Sequence, residues 1–459
     1  MLVGPRIPRL DLLLRFRSSP PLSVLRRDHS CSAGSSKSIR ECDEFLPWLQ
    51  RKAGSEISSM LSIGFSNFGR SLIASKSIRA GDCILRVPFS VQITQENLLP
   101  EIESLVRDVT NVSRVALVLL AEKKLGQDSE WEPYIKRLPS IDEMHNTIFW
   151  SEDELEMLRK SRVYQETMDK KTFIEKEFSS IEAALSCVPQ IYEDCKLEDF
   201  MHAYSLVESR AWGTSMGVSL IPFADFLNHD GVSEAVLLSD EEKEISEVIV
   251  DRDYAASEQV LIRYGRFSNA TLLLDFGFTL RCNIHDQVQI CMDISSLDPL
   301  YKMKLELWNK HSSPKVADAC SSNSSGNFFT LKEVRAGSNR GKGIPQALRA
   351  LSRVLSATSK EELEALEAEA AENDGRLARR PLKDRSKEIL SHHILLAQLE
   401  HTIESHDAAI KVVGSAQFHN DHSRSTCRRQ MAKDVLEGEL RVLRSACDWL
   451  KDYCARLLM

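Results

Sequence analysis

The chain has 459 residues, of which 42% are hydrophobic and 27% charged, and its formal charge is −8. These values indicate a globular protein of roughly three units, or of two folded domains with additional segments. They exclude a disordered chain and argue against a general nucleic-acid-binding protein. The lack of any run of about 18 apolar residues excludes a membrane-spanning helix, and eleven cysteines without a Cys-x-x-Cys pair disfavour a structural zinc site and a disulfide scaffold.

Residues 1–40 form a basic leader. They contain eight basic residues, two acidic residues and eight serines. A leader rich in Arg and Ser and poor in acidic residues is typical of a mitochondrial or chloroplast transit peptide, and this one lacks the continuous apolar core of a secretory signal. We therefore predict import into a chloroplast or a mitochondrion. The alternative is an unstructured tail on a protein of the cytoplasm or nucleus.

Strand patterns and helix patterns alternate between residues 71 and 263. Apolar pieces on either side of a turn-like segment predict two short strands, at 71–74 and 83–87. Helical periodicity then predicts four helices, at 113–125, 151–159, 164–185 and 197–212. Strand character returns in three places, at 219–222, 247–250 and 259–263. The alternation predicts a domain of small sheets with a helical insertion at about 110–212.

The pattern becomes helical beyond about residue 296. Segments 312–326 and 335–344 are polar and glycine-rich, which is typical of loops. Ser359 and Glu362 form a capping-box signature, which predicts a helix at 360–372. Apolar residues recur at helical spacing in two later stretches, as Ile389, Leu396, Ile403 and Ile410, and as Leu436, Leu440, Leu443, Cys447, Leu450, Cys454 and Leu457. These stretches predict helices that pack on each other within a second domain at 296–459.

Three motifs imitate known sites but lack the context that those sites need. Residues 213–217 spell Gly-x-Ser-x-Gly, yet a helix pattern precedes them and a strand pattern follows, the reverse of a hydrolase nucleophile elbow. Segment 336–343 lacks the first Gly and the last Ser or Thr of a phosphate-binding loop. His392 and His393 are adjacent on a helix and point about 100° apart, so they cannot share a metal ion. We predict no metal site.

Three short segments carry the most distinctive chemistry. They are Phe-Gly-Arg-Ser-Leu at 68–72, Pro-Phe-Ala-Asp-Phe-Leu-Asn-His-Asp at 222–230, and a stretch with Arg-Tyr-Gly at 263–265 and Phe-Gly-Phe at 276–278. Each segment alone is explained by a turn, a loop or a strand end. Together, in this order and spacing, they resemble the SET-domain protein methyltransferases, and in particular the branch typified by the Rubisco large-subunit lysine methyltransferase.

The resemblance covers most of the chain from about residue 42. In the insertion it includes the segments 119–122 and 131–134, and it continues through Ser-Arg-Ala at 209–211. It implies an α+β fold, with a SET domain of small β-sheets and a knot-like active site at 41–295. The implied second part, at 296–459, is an all-α domain that binds the protein substrate.

The resemblance implies S-adenosylmethionine as the cofactor. The residues expected to lie along it are Phe68, Gly69, Arg70, Arg210, Asn228, His229 and Phe278. Among them, Arg210 offers a guanidinium suited to a carboxylate, and Phe278 offers an aromatic cover for the adenine ring.

For the reaction, the resemblance implies that Tyr264 is the catalytic residue. Its hydroxyl is expected to orient the acceptor amine and to stabilise the shift of charge during transfer. Asp225 is expected to lie towards the substrate side chain or to support the Asn-His segment, and Phe276 to line the substrate channel. The chain departs from the family at Ser71, where a second glycine is frequent, and at Phe276, where this branch usually has tyrosine.

The implied function is direct methyl transfer from S-adenosylmethionine to a lysine of a non-histone protein. Two alternatives remain open: methylation of a protein histidine, which relatives in this branch carry out, and a non-catalytic SET-fold protein that serves for binding or assembly. Neither a nucleic acid nor a membrane is expected as a partner.

Overall fold

The computed structural model describes residues 44–66, 69–214, 217–311, 327–335, 337, 341–415 and 423–459. The leader at 1–40, Phe68, Ser215 and the loop at 312–326 lie outside the described residues. Residues Cys42–Met459 form one compact unit. Within the described ranges, no helix has both the length and the apolar character needed to cross a membrane.

The strands of the described residues are short and form small sheets. They are β1 (Leu61–Ser66), β2 (Gly69–Ala74), β3 (Cys83–Pro88), β4 (Ala211–Thr214), β5 (Gly217–Leu220), β6 (Asn228–His229), β7 (Leu237–Asp240), β8 (Ile245–Ile249), β9 (Leu261–Ile262), β10 (Gln287–Cys291) and β11 (Phe328–Lys332). One sheet has the order β3-β8-β7, and the pairs β1-β2, β4-β5 and β10-β11 are antiparallel. The pair β6-β9 is parallel.

Helices make up the insertion and most of the C-terminal half. They are α1 (Phe45–Ala53), α2 (Pro100–Glu103), α3 (Asn111–Leu125), α4 (Glu132–Ile135), α5 (Glu152–Glu156), α6 (Arg162–Leu185), α7 (Pro189–Tyr192), α8 (Leu197–Arg210), α9 (Asn269–Thr271), α10 (Tyr301–His311), α11 (Gln346–Ser356), α12 (Lys360–Glu372), α13 (Arg385–Ser415) and α14 (Ser423–Leu458). A π-helix at Leu272–Phe276 follows α9 directly.

Two large apolar cores and one small cluster hold these elements together. The first core is built mainly from α1, β2, β3, α3 and α8, and the second from β10, β11 and α10 to α14. The small cluster joins the start of α6 and the π-helix to α14, through residues that include Val163, Leu273, Ala432 and Val435. Helix α14 therefore packs against the part of the chain that carries the Phe-Gly-Phe motif.

The predicted α+β class with C-terminal helices is confirmed. The strand predicted at 71–74 corresponds to β2, and the helix predicted at 360–372 is α12. As the capping signature indicates, the Ser359 hydroxyl accepts the N–H of Glu362 (3.3 Å). The reciprocal bond of the box is made one residue earlier, because the Glu362 carboxylate accepts the N–H of Thr358 (2.7 Å). The helix predicted at 197–212 ends two residues early, because the backbone is already extended at residue 211.

The C-terminal half is helical apart from β11. This strand lies inside the segment predicted to be entirely helical, and it pairs with β10, which precedes residue 296. The reason is that β11 is short and its partner lies 43 residues away at the register pair Val288↔Leu331, so no local alternation in the sequence marks it. The antiparallel pair thus joins the chain before residue 296 directly to the mainly helical part after it.

The apolar seam predicted for α14 is confirmed, whereas the stripe predicted for α13 is displaced. All of the α14 seam except Leu457 is buried. On α13 the predicted isoleucine and leucine stripe is only half-buried. The buried face of α13 instead contains His392, Leu395, Leu399, His406 and Val413. The polar members are buried because they have partners, such as Glu439 for His406 (2.8 Å), and a search for apolar spacing alone does not detect such positions.

Candidate active site

Three segments that are distant in the sequence meet at the β6-β9 pair. Asn228 and His229 form β6 and lie opposite the two residues of β9. Val260, directly before β9, donates its N–H to the carbonyl of Leu72 in β2 (2.9 Å). The glycine turn, the Asn-His segment and the Tyr-Gly segment are therefore neighbours in the folded protein.

Tyr264 is tied to the Asn-His segment at two points. Its hydroxyl donates to the carbonyl of Leu227 (2.6 Å), and its backbone N–H donates to Nδ1 of His229 (3.1 Å). Burial raises the pKa of Tyr264 above the ordinary value of a tyrosine. The phenol is therefore protonated at neutral pH, where it serves as a hydrogen-bond donor and not as a base.

His229 is a neutral, buried imidazole. Because Nδ1 accepts the N–H of Tyr264, the proton of the neutral ring lies on Nε2. Burial lowers the pKa of His229 to about 4. Nε2 is itself buried and has no hydrogen-bond partner among the described residues. A donor in this position is suited to a polar ligand.

Aromatic rings surround Tyr264. The ring centroid of Phe276 lies 5.5 Å and that of Phe278 6.4 Å from the Tyr264 ring, and Phe278 lies 5.9 Å from the His229 ring. These distances are typical of packed aromatic pairs. The structure thus brings Phe276 and Phe278 beside Tyr264 and His229, so that apolar rings surround the phenol of Tyr264.

The bend between Phe276 and Phe278 depends on Gly277 and on an asparagine that the sequence did not indicate. Gly277 has a φ of +75°, and a Cβ at this position would lie 2.9 Å from the backbone nitrogen of Asn146. Asn146 donates from Nδ2 to the carbonyl of Asp275 (2.7 Å). Asn146 lies in the insertion, outside any recognisable motif, so only the fold reveals its role.

Asp225 forms a buried network with Arg210 and Tyr134. A guanidinium nitrogen of Arg210 lies 3.2 Å from Oδ2 of Asp225, and the hydroxyl of Tyr134 donates to the same oxygen (3.0 Å). Burial raises the pKa of Asp225, and Arg210 opposes that rise. These contacts connect Asp225 to Arg210 at the end of α8 and to Tyr134 in α4. In the sequence, only the family resemblance at 131–134 indicates Tyr134.

Gly69 and Arg70 start β2 beside this network. Gly69 has a φ of +87°, which favours glycine. The Arg70 guanidinium donates to the carbonyl of Arg137, and its backbone carbonyl accepts the amide of Asn228 (3.2 Å). In the described part of the chain, Nε of Arg70, Nε of Arg210 and Oδ1 of Asp225 are buried without a hydrogen-bond partner. Together with Nε2 of His229, they form a set of polar atoms able to bind a charged and polar ligand.

A half-buried ion triad includes Asp275, the residue before Phe276. The ammonium of Lys170, on α6, contacts the carboxylate of Asp275 (2.6 Å) and that of Glu208, on α8. Burial alone would lower the pKa of Lys170, but the two nearby carboxylates have the larger effect and raise it. Burial raises the pKa of Glu208 to about 7. The triad connects the insertion to the residue before Phe276 and to the helix that ends at Arg210. The sequence alone does not indicate Lys170, Glu208 or Asp275, because their positions carry no motif.

Comparison with known families accounts for both halves of the chain. The model described as "SET domain" matches residues 69–265. The model described as "Rubisco LSMT substrate-binding" matches residues 295–443. The chain therefore contains a SET domain followed by a domain of the Rubisco LSMT substrate-binding type. Phe276 and Phe278 lie in the interval between the two matched regions.

Curated relatives of this SET-domain protein include enzymes with different acceptors. It is 28% identical to "[Fructose-bisphosphate aldolase]-lysine N-methyltransferase, chloroplastic" of Arabidopsis thaliana, over 63% of this chain and 62% of the relative. It is 28% identical to "Ribulose-1,5 bisphosphate carboxylase/oxygenase large subunit N-methyltransferase, chloroplastic" of Pisum sativum, over 64% and 63%. It is 26% identical to the human "Actin-histidine N-methyltransferase", over 58% and 47%. The chain thus spans less than two thirds of the length of these relatives.

Solved structures share the fold over nearly the whole SET-domain protein. "Crystal structure of the SET domain of LSMT bound to Lysine and AdoHcy" has a TM-score of 0.69 at 23% identity, covering 92% of this chain and 93% of that chain. "Structure of Rubisco LSMT bound to AdoMet" has a TM-score of 0.67 at 23% identity, covering 91% and 93%. The similarity therefore extends through the helical half as well as the SET half.

The low pKa of His229 predicts a loss of stability on mild acidification. An unfolded histidine takes up a proton near pH 6.5, whereas folded His229 does so only near pH 4, so the unfolded state binds more protons between these values. Lowering the pH from 7 to 5 should cost about 1–2 kcal/mol of unfolding free energy through this group, after a reduction for its incomplete burial. Urea unfolding at the two pH values measures it.

The contribution of His229 can be separated from that of other histidines by substitution. His229→Asn should lose less stability than the wild type between pH 7 and pH 5. His392, whose pKa burial also lowers to about 4, contributes equally to both proteins. Equal pH dependence in the wild type and His229→Asn would contradict the assignment.

Proposed function

We propose that the chain is an S-adenosylmethionine-dependent protein methyltransferase. The observation that carries the proposal is the double attachment of Tyr264 to the Asn-His segment, through its hydroxyl at Leu227 and its N–H at His229. This arrangement places a protonated phenol among aromatic rings and next to buried polar atoms that lack protein partners. The match to the SET-domain model and the methyltransferase relatives support the same activity.

The cofactor is proposed to lie between β2, the Asn-His segment and the Phe-Gly-Phe segment. The residues proposed to hold it are Gly69, Arg70, Arg210, Asn228, His229 and Phe278, with Phe68 as a further candidate outside the described residues. When bound, S-adenosylmethionine supplies a methyl group on a sulfonium. The buried and unpartnered atoms of Arg70, Arg210 and His229 fit its carboxylate and polar groups, and the ring of Phe278 fits its adenine.

Tyr264 is proposed to position the acceptor nitrogen and to stabilise the charge shift in the transition state. A lysine has a pKa near 10.4, so its neutral form costs about 4–5 kcal/mol at pH 7. The aromatic surroundings formed with Phe276 and Phe278 exclude water and disfavour the ammonium, which lowers this cost. The hydroxyl then orients the neutral amine, and holding the reacting atoms in line supplies a large part of the acceleration.

A protein lysine is the acceptor that we propose. The name of the Arabidopsis relative specifies a lysine acceptor, and the Rubisco methyltransferase relatives belong to the same family. Histidine is the second candidate, because the chain is also similar to actin-histidine methyltransferases at 26% identity. A channel lined by Phe276 in place of tyrosine is compatible with either acceptor.

The protein substrate is proposed to bind through residues 296–459, while residues 41–295 carry the catalytic site. The match to the Rubisco LSMT substrate-binding model at 295–443 supports this division.

The two plant relatives are chloroplast proteins by name, which supports a plastid location and a transit function for the leader at 1–40. Among the described residues, no group of three His, Cys, Asp or Glu side chains is arranged to hold a metal ion.

Two measurements test the proposed function. Calorimetry with S-adenosylmethionine should give saturable heat at one site per chain. Incubation of the full chain with a radiolabelled methyl donor and a chloroplast extract should label a protein, and mass spectrometry of the labelled peptide should identify a methylated lysine. Label on a histidine would favour the second candidate. No cofactor binding and no label would contradict the proposal and favour a non-catalytic SET-fold protein.

A further inference from the structure

Helix α14 contacts the segment that carries Phe278. The hydroxyl of Thr279, the residue after Phe278, donates to Oδ2 of Asp434 on α14 (2.8 Å). Asp434 is buried, and its other oxygen accepts the side-chain amide of Gln430 (2.8 Å). A buried carboxylate that accepts a hydrogen bond from a neighbouring segment restrains that segment. The aromatic residue over His229 is therefore one residue away from a fixed point on the C-terminal helix.

A second contact holds the two ends of the same segment. Asn269 donates from Nδ2 to the carbonyl of Leu280 and accepts the Leu280 N–H at Oδ1, both at 2.8 Å, so it closes the loop around Phe278. The N–H of Asn269 donates to Oδ1 of the buried Asp286 (2.9 Å). Arg441 on α14 lies 3.0 Å from Oδ2 of Asp286. The loop thus ends on a carboxylate that α14 holds in place.

The third observation is a glycine in the middle of α14. A Cβ at Gly438 would lie 2.1 Å from Oδ2 and 2.7 Å from Cγ of Asp286. Glycine in a helix interior is less favourable than alanine by about 1 kcal/mol, so its presence needs a packing reason. Here the missing Cβ lets the helix backbone approach Asp286 closely. By contrast, a Cβ at Gly414 on α13 meets no atom within 4 Å.

We propose that Asp434, Gly438 and Arg441 are positioning residues for the cofactor site. They act through Thr279 and Asp286 to hold Phe278 beside His229 and Tyr264. The inference rests on the proposed function, and it adds that the affinity for the methyl donor depends on contacts made by the helical half of the chain. The SET half alone does not determine the position of Phe278.

Gly438→Ala tests the close approach. The new methyl group collides with Asp286 and displaces the loop, so the dissociation constant of sinefungin, an unreactive analogue of the methyl donor, should rise on the order of tenfold. Gly414→Ala is the control, since it adds the same methyl group to the last turn of α13 without a collision, and it should bind as the wild type does. Calorimetry on the full chain, below the unfolding temperature of each variant, measures both.

Thr279→Val and Thr279→Ser provide a second test that does not depend on the folding of Gly438→Ala. Thr279→Val keeps the shape and removes the donor to Asp434, and it should weaken sinefungin binding roughly 3- to 10-fold. Thr279→Ser keeps the donor and should restore binding. A purely structural role would change the unfolding temperature of Thr279→Val but not its affinity.

The outcomes separate this inference from the proposed function. Wild-type affinity in both Gly438→Ala and Thr279→Val overturns the positioning role and leaves the proposed function intact. Equal weakening by Thr279→Val and Thr279→Ser also overturns it, because the hydroxyl is then not responsible. If the wild type itself does not bind sinefungin or S-adenosylmethionine, both the proposed function and this inference fail.

Discussion

Replacing Tyr264 by phenylalanine is expected to lower kcat by roughly 10²- to 10³-fold, the loss typical of one transition-state hydrogen-bond donor. The ring of the variant still packs against Phe276 and Phe278, and the backbone N–H still donates to His229. Cofactor affinity should therefore stay within about threefold of the wild type, since only one neutral hydrogen bond, to Leu227, is lost. Turnover with the labelled methyl donor and calorimetry with sinefungin give the two quantities.

Tyr254→Phe is a matched control for this variant. The Tyr254 hydroxyl also donates to a backbone carbonyl of the site region, that of Leu261 in β9 (3.2 Å), but its ring is not part of the aromatic cluster around Tyr264. We expect near-normal turnover in Tyr254→Phe. Unchanged turnover in Tyr264→Phe would remove this hydroxyl from the mechanism, even if the protein is a methyltransferase.

Replacing Lys170 by methionine is expected to lower the free energy of unfolding by roughly 2–4 kcal/mol, somewhat less than for a fully buried pair. The substitution removes the single cation between the carboxylates of Glu208 and Asp275. Asp275 directly precedes Phe276, so we also expect a lower kcat as the channel residue shifts. Urea unfolding and turnover of the same preparation measure the two effects.

The loss of stability in Lys170→Met should grow as the pH rises from 6 to 8. Burial already raises the pKa of Glu208 to about 7 in the wild type, and loss of the ammonium raises it further. An acid with a raised folded pKa keeps its proton in the folded state after the unfolded state has lost it, so stability falls as the pH rises above the unfolded pKa and levels off only above the folded pKa. That upper limit is higher in Lys170→Met than in the wild type, so the difference between the two proteins grows with pH. The exposed Lys176 on the same helix is the control, and Lys176→Met should change neither quantity. A Lys170→Met protein as stable as the wild type would contradict the role of the triad.

The sequence predicts some of the local secondary-structure elements better than others. The capping signature at Ser359 and Glu362 predicted the start of α12 correctly, because a helix cap is formed by residues that are close in the sequence. The seam of α14 was also correct, since buried positions on a long helix repeat with its period. The stripe of α13 was displaced, because its buried face contains histidines whose partners lie on other elements.

The sequence by itself indicated the residues that we propose for cofactor binding and for the reaction. Asn228, His229, Tyr264 and the aromatic pair Phe276 and Phe278 stand in short motifs whose order and spacing indicated a SET-type site. Such motifs can be recognised in the sequence because each needs a particular side chain on a particular turn or strand end. Their meeting at one place agrees with the structure.

Only the tertiary structure decided which residues support that site. Tyr134 meets Asp225, Lys170 meets Asp275, Asn146 meets the backbone at Gly277, and Asp434 meets Thr279, across sequence separations of 91 to 155 residues. The partner of a buried polar side chain is chosen by how whole elements dock, and the burial that makes the pairing necessary exists only in the folded chain. The spacing of residues along the sequence does not predict how those elements dock.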